Sequence, residues 1–128
     1  MVVGLGLDLV DIARVRRLLE RKGDRAIRRL FTEKEAEYAL GKHDPAMHLA
    51  ARVAAKEAAF KALSGSEEAR AVGWREIEVV RDWAGPTLAF HGLAQRRAEE
   101  LGVTRIHLTL SHTATTAGAV VVLERDSG

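Results

Sequence analysis

The sequence predicts an α+β fold, an antiparallel sheet packed on one long helix. Three observations carry that prediction. Residues 2–10 and 105–111 alternate apolar residues with small or polar ones, the period of a strand. Residues 46–63 hold the longest helical pattern, started by Asp44-Pro45 and stopped by Ser64-Gly65-Ser66. The 128 residues contain no linker, internal repeat or low-complexity stretch, so 1–128 read as a single domain around one core.

The elements follow in order. In strand 2–10, Val3, Leu5, Leu7 and Leu9 share one side and Gly4, Gly6 and Asp8 the other. The strand as a whole reads as buried, and its glycine side leaves room for something bulky to lie against it. Asp11 caps a helix running to about Lys22, with Ile12, Val15, Leu18 and Leu19 as its apolar stripe. A short helix follows Asp24. Thr32-Glu33-Lys34-Glu35 has the spacing of a capping box and opens a helix that ends near Gly41. Asp44 then stands at a cap with Pro45 in the first turn of the long helix. Beyond it come strand 76–81, a turn over 82–86, strand 87–91, helix 92–101 ended by Gly102, strand 105–111, and a last strand over 117–123.

Composition narrows the function classes. An apolar fraction of 47% beside 30% charged residues is that of a globular chain, not a disordered one. No apolar run approaches the ~20 residues that cross a bilayer, and no signal-peptide pattern opens the chain. No cysteine is present, which excludes disulfides, a thiolate nucleophile and thiolate metal ligands. The cytoplasm is the expected setting. Between Arg14 and Arg29 stand eight basic residues against Glu20 and Asp24, a net +6, which leaves −4 for the rest of a +2 chain. Arg14, Arg17 and Arg21 line up at i, i+3, i+7 as a basic stripe. Such a local patch suits an acidic partner, or else is a solvated helix face. Without an aromatic residue for base stacking, it is a poor nucleic-acid surface.

Two carboxylates carry the chemistry. Glu57 and Lys61 stand one helical turn apart among Ala50, Val53, Ala54 and Phe60, so their face is expected to be covered; alone, the pair could equally be an ordinary surface ion pair. Arg52 and Lys56 form a neighbouring cationic row fit for phosphates. Asp8 either terminates its strand or, with Glu57, holds a hard cation such as Mg²⁺, which takes further ligands from water and substrate phosphates. That chemistry is phosphoryl-group transfer. Ser111-His112-Thr113 ends a strand, where His112 can bind phosphate, move a proton or simply close a turn. A hydrolytic triad, a dinucleotide fingerprint and a Walker loop are all excluded by spacing.

Four segments in order, Gly4-Leu-Gly-Leu-Asp8-Leu-Val-Asp-Ile-Ala-Arg14, Phe31-Thr-Glu-Lys-Glu35, Arg52-Val-Ala-Ala-Lys-Glu57-Ala-Ala-Phe-Lys61-Ala and Leu110-Ser-His-Thr113, resemble the short bacterial 4′-phosphopantetheinyl transferases over about residues 2–124. The resemblance implies transfer of 4′-phosphopantetheine from coenzyme A to a serine of apo-acyl carrier protein, with release of adenosine 3′,5′-bisphosphate, in support of fatty acid biosynthesis. It implies Mg²⁺ on Asp8 and Glu57, Lys61 near the reacting phosphate, and Arg52, Gly65, Pro86, His112 and Thr113 along the coenzyme A site. It also implies carrier-protein docking at Arg14, and a homotrimer with sites between subunits. A metal-associated water oriented by Glu57 is the favoured general base. Two departures stand out: no basic residue separates Gly85 from Pro86, and Ala114-Thr115 follow the Ser-His-Thr segment where many relatives carry lysine and an acid. The competing expectation is a non-catalytic basic adaptor that binds an acidic protein through residues 14–29.

Overall fold

The structure, a computed structural model, describes residues 1–127. Its elements are β1 (Val2–Asp11), α1 (Ile12–Lys22), α2 (Asp24–Leu30), α3 (Glu33–Leu40), α4 (Pro45–Leu63), α5 (Glu67–Arg70), β2 (Ile77–Asp82), β3 (Gly85–Phe90), α6 (Gly92–Leu101), β4 (Arg105–His112) and β5 (Thr116–Glu124). A single 3₁₀ turn, Trp74–Glu76, precedes β2. The α+β prediction holds, and both α5 and the 3₁₀ turn are additions to it. The strands divide into a three-stranded antiparallel sheet, ordered β1-β5-β4, and a separate β2-β3 ribbon. No helix is long and apolar enough to cross a membrane among the described residues.

Alanine and glycine decide how closely α4 approaches the sheet. Ala50, Ala54, Ala55, Ala58 and Ala59 are wholly buried. The α4 backbone lies directly on the glycine side of β1, where a Cβ at Gly6 would collide with the Ala58 carbonyl and one at Gly4 with that of Ala62. The bulky neighbour expected for that side is therefore α4 itself. Around this seam Val10, Ala117, Ala119, Val121 and Leu123 complete the core.

The opposite side of β1 differs from expectation. Leu5, Leu7 and Leu9 are 64%, 58% and 69% exposed, because among the described residues no layer covers the outer face of the sheet. Register places Leu5 opposite Val122 and Leu7 opposite Val120, so these side chains form one apolar surface. Strand alternation gave the right pairing of faces, but α4 took the glycine side and left the leucine side open.

Local signals explain most helix boundaries. Asp11 caps α1 by accepting from the Ala13 N–H, and Thr32 and Glu35 form the full capping box of α3, each worth about 1 kcal/mol. Asp44 stands at the start of α4 but makes no side-chain cap. It accepts instead from both Arg16 terminal nitrogens, at 3.2 and 3.4 Å, tying α4 to α1.

Lys56 overturns one expectation. It is wholly buried, and its Nζ donates to Glu35 Oε1 (2.7 Å), the Trp74 carbonyl (2.7 Å) and the Ile77 carbonyl (2.6 Å). A cation with all three donors used inside the protein cannot serve a phosphate. Glu35 closes the network by accepting from the Thr32 and Val79 N–H groups, both at 2.9 Å. The network joins α3, α4, β2 and the 3₁₀ turn, and fixes the rotation of α4 next to Glu57.

Candidate functional site

Where α4 crosses the glycine side of β1, the two expected carboxylates meet. Asp8 lies on that side, opposite Ala119 of β5, and its side chain is only 12% exposed. Glu57 immediately precedes Ala58, whose carbonyl rests on Gly6. Burial, and then the Asp8 carboxylate within hydrogen-bonding reach, push Glu57 up to about 7. Asp8 Oδ2 is buried and has no hydrogen-bond partner.

Lys61 departs from the pairing that its spacing suggests. It reaches across to β1, donating to Asp8 Oδ1 at 3.0 Å and to the Leu7 carbonyl at 2.8 Å, and makes no ion pair with Glu57 among the described residues. Its side chain is 56% exposed, so the face expected to be covered is open at this end.

These features fit a hard divalent cation. Two facing carboxylates, one with an orphaned buried oxygen and one held partly protonated, are short of positive charge. All the donors are oxygens, as Mg²⁺ prefers. Among the described residues no cluster of three or more His, Cys, Asp and Glu exists, so such an ion would complete its shell from water and a substrate phosphate.

One open space borders Glu57 and another lies further along α4. A groove of about 460 Å³ between α1 and α4 is lined by Arg14, Arg17, Arg21, Val53, Glu57 and Trp74. The basic stripe and the acid thus share one groove. A second cleft of about 670 Å³ lies beyond the end of α4, against Phe60, Ser64, Gly65, Arg70 and Trp74. Gly65 has φ +109°, a conformation that side-chain-bearing residues rarely adopt. The Phe60 and Trp74 rings meet edge to face at 5.1 Å on its wall.

The remaining expected residues gather elsewhere. Arg52 is 3% exposed and stacks its guanidinium on the Tyr38 ring at 4.4 Å. One terminal nitrogen donates to the His48 carbonyl at 3.2 Å, while Nε has no partner. Lys42 and Arg81 approach the same ring at 4.5 and 5.5 Å, and His48 meets its edge at 5.8 Å. Arg81 pairs with Pro86 across the β2-β3 ribbon. Burial, with Arg52, Lys42 and His112 nearby, lowers the His48 pKa. None of Lys42, Arg52 and Arg81 has an ion-pair partner among the described residues, so this cluster carries unneutralised positive charge. His112 and Thr113 lie at the turn between β4 and β5, where Thr113 Oγ1 accepts from the Thr115 and Thr116 N–H groups.

The structure therefore sorts the expected site residues into two groups. Asp8, Glu57 and Lys61 form one, with Gly65 in the separate cleft at the end of α4; Arg52 stacks on Tyr38, with Pro86 opposite Arg81 and His112 near His48. No hydrogen bond or ion pair among the described residues joins them, and positions 52 and 57 are about 140° apart around α4. Sequence reasoning did not single out Tyr38, Lys42, His48 and Arg81. The four-residue spacings Tyr38/Lys42 and His48/Arg52 were the only signal in the chain for them.

Residues 4–117 match the family model of the 4′-phosphopantetheinyl transferase superfamily. The chain is 45% identical over 127 residues to a holo-[acyl-carrier-protein] synthase of Anaeromyxobacter sp. (strain K), with 97% of each covered. The crystal structure of such a synthase from Neisseria meningitidis superposes with TM-score 0.85 at 30% identity, covering 98% of this chain and all of that one. A Bacillus anthracis synthase described as a complex with CoA (3′,5′-ADP) superposes with TM-score 0.77 at 32% identity, covering 98% and 99%.

Proposed function

The chain belongs to the 4′-phosphopantetheinyl transferase superfamily, as an enzyme of its holo-[acyl-carrier-protein] synthase group, and on that premise we propose how its residues act. The activity is phosphopantetheine transfer to apo-acyl carrier protein. The donor in this reading is coenzyme A, and the leaving group is adenosine 3′,5′-bisphosphate. The carrier serine oxygen attacks the phosphorus on the pantetheine side of the pyrophosphate. A new P–O bond forms there, the bond to the bridging oxygen breaks, and the nucleotide departs with the electron pair.

Asp8 and Glu57 would hold Mg²⁺, which when bound supplies neutralisation of charge on the pyrophosphate. Lys61, at the exposed mouth of the pair, turns its ammonium to the reacting phosphate. Glu57 orients the water that takes the serine proton. Gly65 and the cleft beside it receive part of coenzyme A. Arg14, Arg17 and Arg21 dock the acidic carrier protein and steer its approach. The single observation that carries this reading is the groove shared by those three arginines and Glu57: a partner held by the stripe has its serine beside the acid.

The second group of residues supports a site completed by a neighbouring subunit of a homotrimer. Arg52, Pro86, His112 and Thr113 of one protomer then face the Asp8 and Glu57 of the next, and the open Leu5, Leu7, Leu9, Val120 and Val122 surface is the apolar area that such an assembly would bury. Arg81, paired with Pro86 across the β2-β3 ribbon, also offsets the departure at Gly85-Pro86 by bringing positive charge beside it. The setting in this reading is the cytoplasm, and the product serves fatty acid biosynthesis.

The competing adaptor reading separates cleanly in one experiment. Asp8→Ala and Glu57→Ala are expected to abolish transfer at least about 100-fold while leaving carrier-protein binding nearly intact, because the metal is needed for the chemical step. Arg14→Glu is expected to raise the KM for the carrier protein, by the largest factor at low salt where the wild-type attraction is least screened, without changing that for coenzyme A. Full transfer by a folded Asp8 or Glu57 variant would overturn the metal-pair assignment.

A further inference from the structure

Lys61 has a nearer partner in sequence than the one it uses. Glu57 stands one turn back on the same helix face, yet the ammonium crosses to β1, where Asp8 Oδ1 accepts from it at 3.0 Å and the Leu7 carbonyl at 2.8 Å. Asp8 is nearly covered whereas Lys61 is more than half exposed, so the lysine closes the solvent side of the carboxylate. The other oxygen, Oδ2, faces inward without a partner. One side of Asp8 thus already carries a cation, and the remaining side is ready for one.

We infer that Lys61 keeps the cation's place at Asp8 in the metal-free enzyme and gives up Oδ1 when a divalent cation binds, so that loading the site frees the ammonium for the substrate phosphate. The inference rests on the reading of Asp8 and Glu57 as the metal pair. Like charges on one carboxylate repel strongly at such range in a partly buried site. An ion pair with one partner this exposed is weakly held, and a four-carbon stem lets Nζ move without moving α4. The lysine spares the metal-free protein a pair of facing, uncompensated carboxylates, at the cost of competing with the metal.

The test uses Mn²⁺ as probe, with the full chain and no coenzyme A. Mn²⁺ affinity is measured by titration calorimetry for the wild type, Lys61→Met and Asp8→Asn, and a crystal of the wild type with Mn²⁺ locates Nζ. Lys61→Met is expected to bind Mn²⁺ about 3- to 10-fold more tightly, the scale of a half-exposed ion pair, although its transfer rate falls. In the Mn²⁺ crystal, Nζ is expected beyond hydrogen-bonding distance of Oδ1. Unchanged or weaker binding by Lys61→Met, or Mn²⁺ at Asp8 with Nζ still bonded to Oδ1, would overturn the inference alone. Wild-type Mn²⁺ affinity in Asp8→Asn would overturn the metal pair itself and the inference with it.

Discussion

Replacing Lys56 by methionine keeps the volume of the side chain and removes its charge. The wild-type ammonium is wholly buried with its three donors satisfied by Glu35, Trp74 and Ile77. Methionine leaves the Glu35 carboxylate, itself 1% exposed, without a cation and takes the donor from the buried Ile77 carbonyl and the part-buried Trp74 carbonyl. Breaking a buried ion pair from one side costs about 3–5 kcal/mol. The N–H groups of Thr32 and Val79 still reach Glu35, which places the expectation near 3. At about 3–5 °C per kcal/mol for a chain of this size, the thermal midpoint falls by roughly 10–15 °C. Urea unfolding at fixed protein concentration, which holds any assembly constant, measures the loss. The double variant Lys56→Met, Glu35→Gln removes both charges and is expected to recover at least about 1 kcal/mol of it, because it no longer buries a lone carboxylate. A loss below about 1 kcal/mol for Lys56→Met, or a double variant as unstable as the sum of both singles, would refute the reasoning.

Other consequences follow from the same geometry. Gly6→Ala pushes a methyl into the Ala58 carbonyl; α4 must shift off β1, costing about 1–3 kcal/mol or more and most of the transfer activity, as a melting curve and a kinetic assay would show. With Glu57 raised from 4.5 to about 7, the native state holds a proton that the unfolded chain has lost, so the metal-free protein loses stability as pH rises through that window. Metal binding needs the ionised acid, so Mn²⁺ affinity is expected to fall as pH drops below about 7, approaching tenfold per unit for one proton; equal affinity at pH 6 and pH 8 would contradict the shift. Leu7→Glu places a charge on the open apolar face of the sheet; if the proposed homotrimer buries that face, sedimentation is expected to show smaller species than for the wild type while each protomer keeps its fold.

Much of this was legible in the chain because local chemistry governed it. Helix starts at Asp11 and Thr32, the stop at Ser64-Gly65 and the strands at both ends all rest on caps, glycines and alternation within a few residues. The juxtaposition of Asp8 and Glu57 was legible for a related reason: two glycines and an alanine-rich helix announce a close approach, and the two acids sit in that seam. What was not legible depended on contacts over long separations. Lys56 looked like a phosphate ligand because nothing nearby in sequence shows Glu35, Trp74 and Ile77 converging on it. Lys61 looked like the partner of Glu57 because spacing along a helix says nothing of a strand packed across it. The open side of β1 escaped because alternation tells which residues share a face, not which face the helix will take. The Tyr38 cluster draws on α3, α4 and β2 together, and no single segment reveals it.

The decisive measurement is the intact mass of purified apo-acyl carrier protein after incubation with this enzyme, coenzyme A and Mg²⁺, beside a sample containing EDTA. A metal-dependent gain of about 340 Da, one phosphopantetheine arm, is the predicted result if Asp8 and Glu57 hold the cation as proposed. No gain with several competent carrier proteins, while those proteins still bind the basic groove, would contradict the account and favour the adaptor.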